Sequence, residues 1–149
     1  MRPQLLDRFG LCVDVVGDGY VTSRSQVVMR RLEYDADPEA FIEKYREQTE
    51  ELRERISAAR DRILDIEVSQ NMVEVAANVA IRFKMEGHRA DITMIRAARA
   101  NAAFEGKDAI DREDIRTVAP MVLSHRVKKK PFEKTGFNKK ELEECLRIF

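Results

Sequence analysis

Gly106 and Lys107 come closer than any other pair in this sequence to the end of a phosphate-binding loop. Such a loop needs the pattern GxxxxGK[ST], because its backbone N–H groups surround the phosphates while its lysine and hydroxyl contact phosphate and Mg²⁺. Here Asp108 follows the lysine where a hydroxyl is needed, and Asn101 stands where the first glycine should be. The other glycines, at 10, 17, 19, 87 and 136, build neither this loop nor a GxGxxG fingerprint. The sequence therefore predicts that this chain does not cradle a triphosphate by the usual route.

The chain also lacks other self-contained catalytic motifs. It has two histidines, with no HExxH zinc motif and no nucleophile elbow. Its 149 residues include 27 basic and 27 acidic ones, and this balance, with 44% apolar residues, predicts one soluble domain. No apolar run approaches the roughly 18 residues of a membrane span, and the N-terminus lacks a signal peptide, so we expect a cytoplasmic protein. Any chemistry that it joins must use machinery outside this chain.

Arg89 precedes a predicted helix start, a position that suits a phosphate. The free N–H groups and the dipole at a helix N-terminus favour an anion there. The alternative is a structural arginine that pairs with Glu86 or Asp91. We interpret the neighbouring His88 as a polar turn residue and not as a metal ligand, so no metal site is predicted.

Hydrophobic periodicity and helix caps predict an all-α helical bundle with one short strand at its front. Alternating β-branched residues over 11–16 predict the strand, which Gly17 and Gly19 end. We expect helices over 22–34, 38–66, 69–86, 92–105, 112–125 and 138–149. The predicted caps are Thr22 or Ser23, Asp37, Ser69, Asp91 and Asp111, and the predicted stops are Gly87 and Gly106.

The helix over 38–66 is the longest predicted element. Apolar residues three and four apart form a heptad stripe along it, and no residue inside it breaks a helix. At 1.5 Å per residue it would be roughly 43 Å long, so we expect part of it to project or to lie along another helix. We interpret the charges beside the stripe as a solvated face.

Three segments together resemble one known family. Residues 2–11, RPQLLDRFGL, resemble a segment of the AAA+ subunit of magnesium chelatase, and residues 87–100 are similar to the sensor-2 region of that family. The LSHR sequence at 123–126, with the basic residues after it, is similar to the family's LSHRLRRDP ending. The matches keep the family's order from residue 2 to about 131, and we find no family counterpart for the last helix.

The resemblance implies an architecture. Residues 1–21 would be the end of the AAA+ nucleotide-binding core, and residues 22–149 the helical lid with a basic C-terminal segment. In the family the phosphate loop, the acidic Mg²⁺-binding motif and the first sensor precede these residues, which would explain the missing glycines. We therefore expect either a truncated gene product or a fragment, inactive alone and without bound cofactor, of a protein that uses ATP and Mg²⁺.

The resemblance also implies roles for three residues. Arg8 would be an arginine finger that acts in trans on ATP bound by a neighbouring subunit, and Asp7 would orient it. Arg89 would be the sensor-2 arginine, which contacts the phosphate of ATP in its own subunit. The alternative for Arg8 is an ordinary surface arginine. His88 and Ala90 stand where the family has a leucine and a glycine, so the turn before Arg89 departs from the family's pattern.

Partners follow from the same resemblance. It implies a homo-oligomeric ring, a second AAA+ subunit and a large chelatase subunit that handles the tetrapyrrole and the metal, Mg²⁺ or in a related system Co²⁺. Residues 126–140 carry seven basic residues against one acidic residue. We favour a solvated tail or a subunit contact there over nucleic acid. Two alternatives for the whole chain are a non-enzymatic helical interaction module and the lid of another AAA+ clade, such as the MoxR type.

Overall fold

The computed structural model describes residues 8–127 and 137–148. Over these residues the chain is all-α, as predicted, with seven helices and no sheet. The helices are α1 (Val21–Ala36), α2 (Pro38–Lys44), α3 (Arg46–Arg62), α4 (Gln70–Arg82), α5 (Arg89–Phe104), α6 (Arg112–Leu123) and α7 (Lys139–Ile148). Each helix in the described ranges is too short or too polar to cross a bilayer.

The chain divides into two compact units. The larger unit comprises Met1–Val13 and Ala58–Phe149, and the smaller one Asp14–Ser57. The core of the larger unit lies between α4, α5, α6 and α7. Alanines on α5 and α6 bring these two helices close together, because they add little bulk between the backbones. The largest fully buried apolar side chains are Ile66, Val75, Val79, Met94, Ile115, Val122 and Leu123.

Local cap chemistry explains several helix starts. The predicted caps Asp37, Ser69 and Asp111 each accept a hydrogen bond from a backbone N–H of the first turn, and Asp111 forms a capping box with Asp114. Two predicted starts are wrong. Helix α1 begins at Val21 with no side-chain cap, and α5 begins at Arg89, so that Asp91 lies inside its first turn.

The single helix predicted over 38–66 is wrong, because it is interrupted at Tyr45 and ends at Arg62. The Tyr45 N–H bonds to the Ile42 carbonyl, and the Tyr45 carbonyl accepts both the N–H and the hydroxyl of Thr49 at 3.0 and 2.8 Å. A threonine hydroxyl that bonds back to the preceding turn bends a helix. After Arg62 the chain turns Ile66 into the core.

The chain after α3 pairs with a distant segment. Glu67 forms a short parallel bridge with Ala109, through hydrogen bonds of 2.8 Å from the Glu67 N–H to the Asp108 carbonyl and 3.1 Å from the Ile110 N–H to the Glu67 carbonyl. The Arg62 side chain reaches the same region, with donor to acceptor distances of 3.1 Å to the Lys107 carbonyl and 2.5 Å to Asp108. These contacts fix the end of α3.

The strand predicted over 11–16 is also wrong, since these residues have no regular secondary structure. A strand forms only when a neighbouring strand supplies partners for its N–H and C=O groups. The described residues contain no such neighbour. Instead, the Cys12 N–H donates to the Met121 carbonyl of α6 at 2.9 Å.

The smaller unit, Asp14–Ser57, contains α1, α2 and the first part of α3. It buries none of its described side chains, and large apolar residues such as Val27 (66% exposed), Leu32 (58%) and Ile42 (58%) face solvent. Its internal contacts include a row of three aromatic rings, with Phe41 between Tyr34 and Tyr45 at centroid distances of 5.6 and 4.8 Å. Apolar side chains of this unit are therefore exposed in the part of the chain that the structure describes.

Helix α4 ends at Arg82, four residues before its predicted last residue, Glu86. Gly87, the predicted stop, therefore does not terminate it. The Lys84 N–H bonds to the Ile81 carbonyl and the Met85 N–H to the Ala80 carbonyl, both at 2.9 Å, which is a Schellman motif. Lys84 occupies its left-handed position with φ of 55°. Gly106, with φ of 74°, has the same place after α5 and ends that helix as predicted.

The two residues in the left-handed conformation, Lys84 and Gly106, predict opposite changes in stability when lysine is replaced by glycine and glycine by alanine. Lys84→Gly is expected to raise the free energy of unfolding by about 0.5–1 kcal/mol, because a side chain with a Cβ is strained in this conformation. Gly106→Ala is expected to lower it by about 1 kcal/mol; an added Cβ meets no atom within 4 Å, so the cost is backbone strain alone. Urea denaturation of the full chain measures both, and shifts in the same direction would contradict the assignment.

Candidate functional site

The segment 8–13 is fastened to the C-terminal end of α6. The last carbonyls of a helix have no partner within it and must find one elsewhere. The Met121 carbonyl accepts the Cys12 N–H at 2.9 Å. This hydrogen bond lies four residues after Arg8, whose side chain is exposed. Asp7, the predicted orienting residue, lies outside the described residues.

His125 and Arg126, just after α6, bind the backbone next to Arg8. His125 Nε2 lies 3.0 Å from the Phe9 carbonyl, and the guanidinium of Arg126 donates to the carbonyls of Phe9 at 2.9 Å and Gly10 at 3.2 Å. The same guanidinium donates to the Val122 carbonyl in the last turn of α6. We call His125 and Arg126 the clamp. It fixes the chain one residue after Arg8.

Arg89 is the first residue of α5 and its side chain is exposed. No side chain caps this helix, because the residue before it, His88, makes no cap bond. His88 Nδ1 instead lies 3.2 Å from Asp91 Oδ2, whereas Asp91 Oδ1 is buried and has no hydrogen-bond partner among the described residues. The alternative pairing of Arg89 with Asp91 therefore competes with His88 for the same carboxylate.

The start of α5 fits one phosphate contact. The helix is 16 residues long, its first N–H groups carry no side-chain cap, and Arg89 adds a planar cationic donor. The Asp91 carboxylate opposes an anion, but it is one quarter exposed and pairs with His88. Arg89 and the N–H groups at the start of this helix could therefore contact a phosphate group.

The elements that carry the two predicted arginines approach each other. A Cβ on Gly10 would lie 3.6 Å from Cγ2 of Thr93, one turn after Arg89 on α5. Both Arg8 and Arg89 also belong to the larger compact unit. The structure therefore brings the backbone beside Arg8 against the helix that Arg89 begins.

Lys107, the remnant of a phosphate-loop pattern, has a structural role that the sequence did not reveal. Its ammonium lies 2.9 Å from Asp111 and 3.0 Å from Asp114, a fully buried carboxylate that also accepts hydrogen bonds from Asn101 and the Asp111 N–H. Burial alone would lower the pKa of Lys107 and raise that of Asp111. Their hydrogen bonds outweigh burial, so the Lys107 pKa is raised and the Asp111 pKa is lowered.

Two other sequence features have a simpler outcome. Among residues 8–127 and 137–148, no three His, Cys, Asp or Glu side chains are grouped so that they could hold a metal ion. Most of the basic segment 126–140 lies outside the described residues, so its role stays a prediction.

The LSHR sequence at 123–126 could have indicated the clamp. A histidine and an arginine directly after a helix end can donate to carbonyl groups that need donors.

Comparison with known proteins shows one domain family and one group of enzyme subunits to which this chain is similar. The family model of the AAA lid domain matches residues 73–145. The chain is 40% identical over 149 residues to a magnesium-chelatase subunit ChlI homolog of Methanocaldococcus jannaschii, covering all of this chain and 41% of the relative. It is 41% identical over 146 residues to the magnesium-chelatase 38 kDa subunit of Cereibacter sphaeroides, covering 98% of this chain and 43% of the relative. It is 36% identical over 149 residues to chloroplastic ChlI of Oryza sativa subsp. japonica, covering 100% and 36%.

These matches correct the prediction that the last helix has no family counterpart, and they show how much of each relative the chain covers. The last helix does have a family counterpart, since the lid model reaches residue 145 and the Methanocaldococcus jannaschii relative aligns over all 149 residues. The chain spans about two fifths of the length of these relatives. Over its whole length it is similar to the C-terminal part of magnesium-chelatase AAA+ ATPase subunits, and residues 73–145 match the AAA lid domain.

Proposed function

We propose that this chain is the lid-bearing part of an AAA+ motor that couples ATP hydrolysis in a ring to insertion of Mg²⁺ into a tetrapyrrole. One observation carries the proposal beyond family membership. The exposed Arg8 lies on a segment fastened to the same compact unit that presents Arg89 at a helix start. One compact unit would thereby carry one group for its own nucleotide and one for the nucleotide of a neighbour.

Arg8 is proposed as an arginine finger that acts in trans. During phosphoryl transfer, negative charge spreads over the oxygens of the γ-phosphoryl group, and a guanidinium stabilises this charge with a fork of donors. The exposure of Arg8 supports access to a neighbouring subunit. Asp7 would orient it.

Arg89 is proposed as the sensor-2 arginine of the same subunit. A contact between Arg89 and the ATP phosphates would draw the lid toward the nucleotide-binding core, and loss of that phosphate would release it. The uncapped start of α5 supports this role, because its N–H groups favour the same anion.

The partners and cofactors of the whole protein belong to the proposal. We propose a homo-oligomeric ring that uses ATP with Mg²⁺ and acts with a second AAA+ subunit and a large chelatase subunit. Mg²⁺ and the tetrapyrrole are substrates of that assembly. The relatives are named as magnesium-chelatase subunits, and their sequences are more than twice as long as this chain.

Arg89 provides the test of nucleotide sensing. In a chimeric subunit, this chain replaces the aligned part of the Cereibacter sphaeroides protein. Arg89→Ala is expected to weaken ATP binding roughly tenfold or more, because a charge-assisted hydrogen bond is lost, with a smaller effect on ADP. The affinity of Arg89→Lys for ATP should lie between those of the parent and of Arg89→Ala, because lysine keeps the charge but lacks the planar fork of donors. Titration with a fluorescent ATP analogue measures the affinity.

The matched control is Arg96→Ala, another exposed arginine of α5, two turns from the helix start. It should leave ATP affinity unchanged. Equal affinities of the Arg89→Ala and parent subunits for ATP would contradict the sensor-2 proposal.

A further inference from the structure

We propose that the clamp, His125 and Arg126, positions Arg8 and makes the finger move with the lid. This inference rests on the proposed role of Arg8 and adds two residues to it. The clamp residues would not touch ATP. They would act by holding the backbone that carries Arg8, and so would transmit the movement of one subunit's lid to the ATP site of the next subunit.

Four hydrogen bonds attach the Arg8 segment to the end of α6. The Phe9 carbonyl takes two donors, at 3.0 Å from His125 and 2.9 Å from Arg126, so both of its lone pairs are used. The Gly10 carbonyl takes one donor and the Cys12 N–H makes the fourth bond. With these groups fixed, only the peptide unit between Arg8 and Phe9 separates the finger from its anchor.

The chemistry of His125 selects the informative variants. A carbonyl oxygen can only accept, so Nε2 of His125 must carry the hydrogen that it donates to Phe9. Nδ1 is buried and has no hydrogen-bond partner among the described residues, so Nε2 makes the ring's hydrogen bond to the segment of Arg8. Glutamine keeps a donor at the position of Nε2, whereas leucine keeps only the bulk. His125→Gln should therefore preserve the clamp, and His125→Leu should remove one of its three hydrogen bonds to Phe9 and Gly10.

Arg126 joins the two elements through one planar group. Its guanidinium reaches the Phe9 and Gly10 carbonyls and also the Val122 carbonyl, which belongs to α6. A lysine ammonium is a single point of donation on a flexible stem and cannot reproduce this planar fork. Arg126→Lys should therefore weaken the attachment while keeping the charge.

A purely structural role makes a different prediction from a positioning role. If the clamp only completed the end of α6, its loss would disturb the whole lid, and every function of the subunit would suffer equally. If it positions Arg8, its loss should harm a subunit only when that subunit supplies the finger. The two roles can be separated, because in a ring one subunit binds the ATP and the next subunit supplies the finger.

The experiment mixes two variants of the chimeric subunit. The donor has its phosphate-loop lysine replaced and keeps Arg8, and the acceptor has an intact phosphate loop and Arg8→Ala. Hydrolysis by the mixture requires the donor's Arg8 in the acceptor's site. His125→Leu or Arg126→Lys in the donor is expected to lower the rate of the mixture about tenfold or more, because small misplacements of a catalytic group are costly.

The same substitutions in the acceptor should change the hydrolysis rate of the mixture less than twofold. His125→Gln in the donor should leave most of that rate in place. Arg116→Ala is the matched control, since Arg116 of α6 bonds to Glu143 and not to the finger segment. Equal losses in donor and acceptor, or no loss in either, would overturn the positioning role alone. A parent mixture without any hydrolysis would instead overturn the proposed trans finger, and the positioning role with it.

Discussion

Replacing Arg8 with alanine in the chimeric subunit is expected to lower ATP hydrolysis by about a thousandfold while ATP binding stays unchanged. A finger arginine contributes at this scale because it stabilises charge that develops only in the transition state. Arg8 is exposed, and its backbone is held one residue away by the clamp. Its loss should therefore leave the lid intact. Steady-state hydrolysis and a nucleotide titration measure the two quantities separately.

Two controls sharpen this prediction. Arg8→Lys keeps the charge without the planar fork and should recover only a small part of the rate. Arg60→Ala removes another exposed arginine, on α3, and should leave the rate unchanged. Retained turnover in Arg8→Ala, or a loss of ATP binding that matches the loss of turnover, would contradict the finger assignment.

Replacing Asp114 with alanine is expected to lower the free energy of unfolding by about 3 kcal/mol. Asp114 is fully buried and accepts hydrogen bonds from Asn101 at 2.8 Å, Lys107 at 3.0 Å and the Asp111 N–H at 2.9 Å. Alanine would leave these donors without their acceptor and would remove the capping box of α6. Lys107 is about one third exposed and can stay hydrated, which limits the loss. Urea denaturation of the full chain measures it.

Asp108→Ala is the matched control for this effect. Asp108 also pairs with a cation, Arg62, but its side chain is 96% exposed, so the pair contributes little. Asp114→Asn keeps the shape and one acceptor and should fall between the two. A loss below about 1 kcal/mol for Asp114→Ala would contradict the structural role of this network.

The parts of the fold that could be predicted are those set by local chemistry. The inward face of α4 follows from 3.6-residue periodicity, and Met72, Val75 and Val79 are buried as predicted. The caps at Ser69 and Asp111 follow from side chains that bond to N–H groups two or three residues away. Such patterns need no knowledge of the rest of the chain.

The strand over 11–16 and the unbroken helix over 38–66 are wrong, because a strand needs a neighbouring strand and a heptad stripe needs another helix to pack against. The alternation of the strand is real, but the described residues supply no neighbouring strand. The apolar side chains of Asp14–Ser57 are likewise exposed here. The family model of the lid matches residues 73–145, so the predicted start of the lid at residue 22 stays a prediction.

The candidate site also combines residues that the sequence could indicate with contacts that only the structure shows. Arg8 could be selected from the sequence only through the family resemblance, whereas the position of Arg89 before a predicted helix start already suits a phosphate. The clamp joins residues 116 and 117 positions apart, so no periodicity could reveal it. Lys107 resembled a phosphate ligand in sequence and is bound to two carboxylates in the structure. Only the packing of α5 against α6 distinguishes these two roles.

The hydrolysis rate of a mixed ring measures whether Arg8 acts on ATP bound by a neighbouring subunit. Arg8→Ala subunits and subunits without the phosphate-loop lysine should each be inactive alone. Mixed in equal amounts, they are predicted to recover up to roughly a quarter of the parent rate, the share of interfaces that pair an intact loop with an intact finger. A mixture no more active than its separate components would contradict the claim.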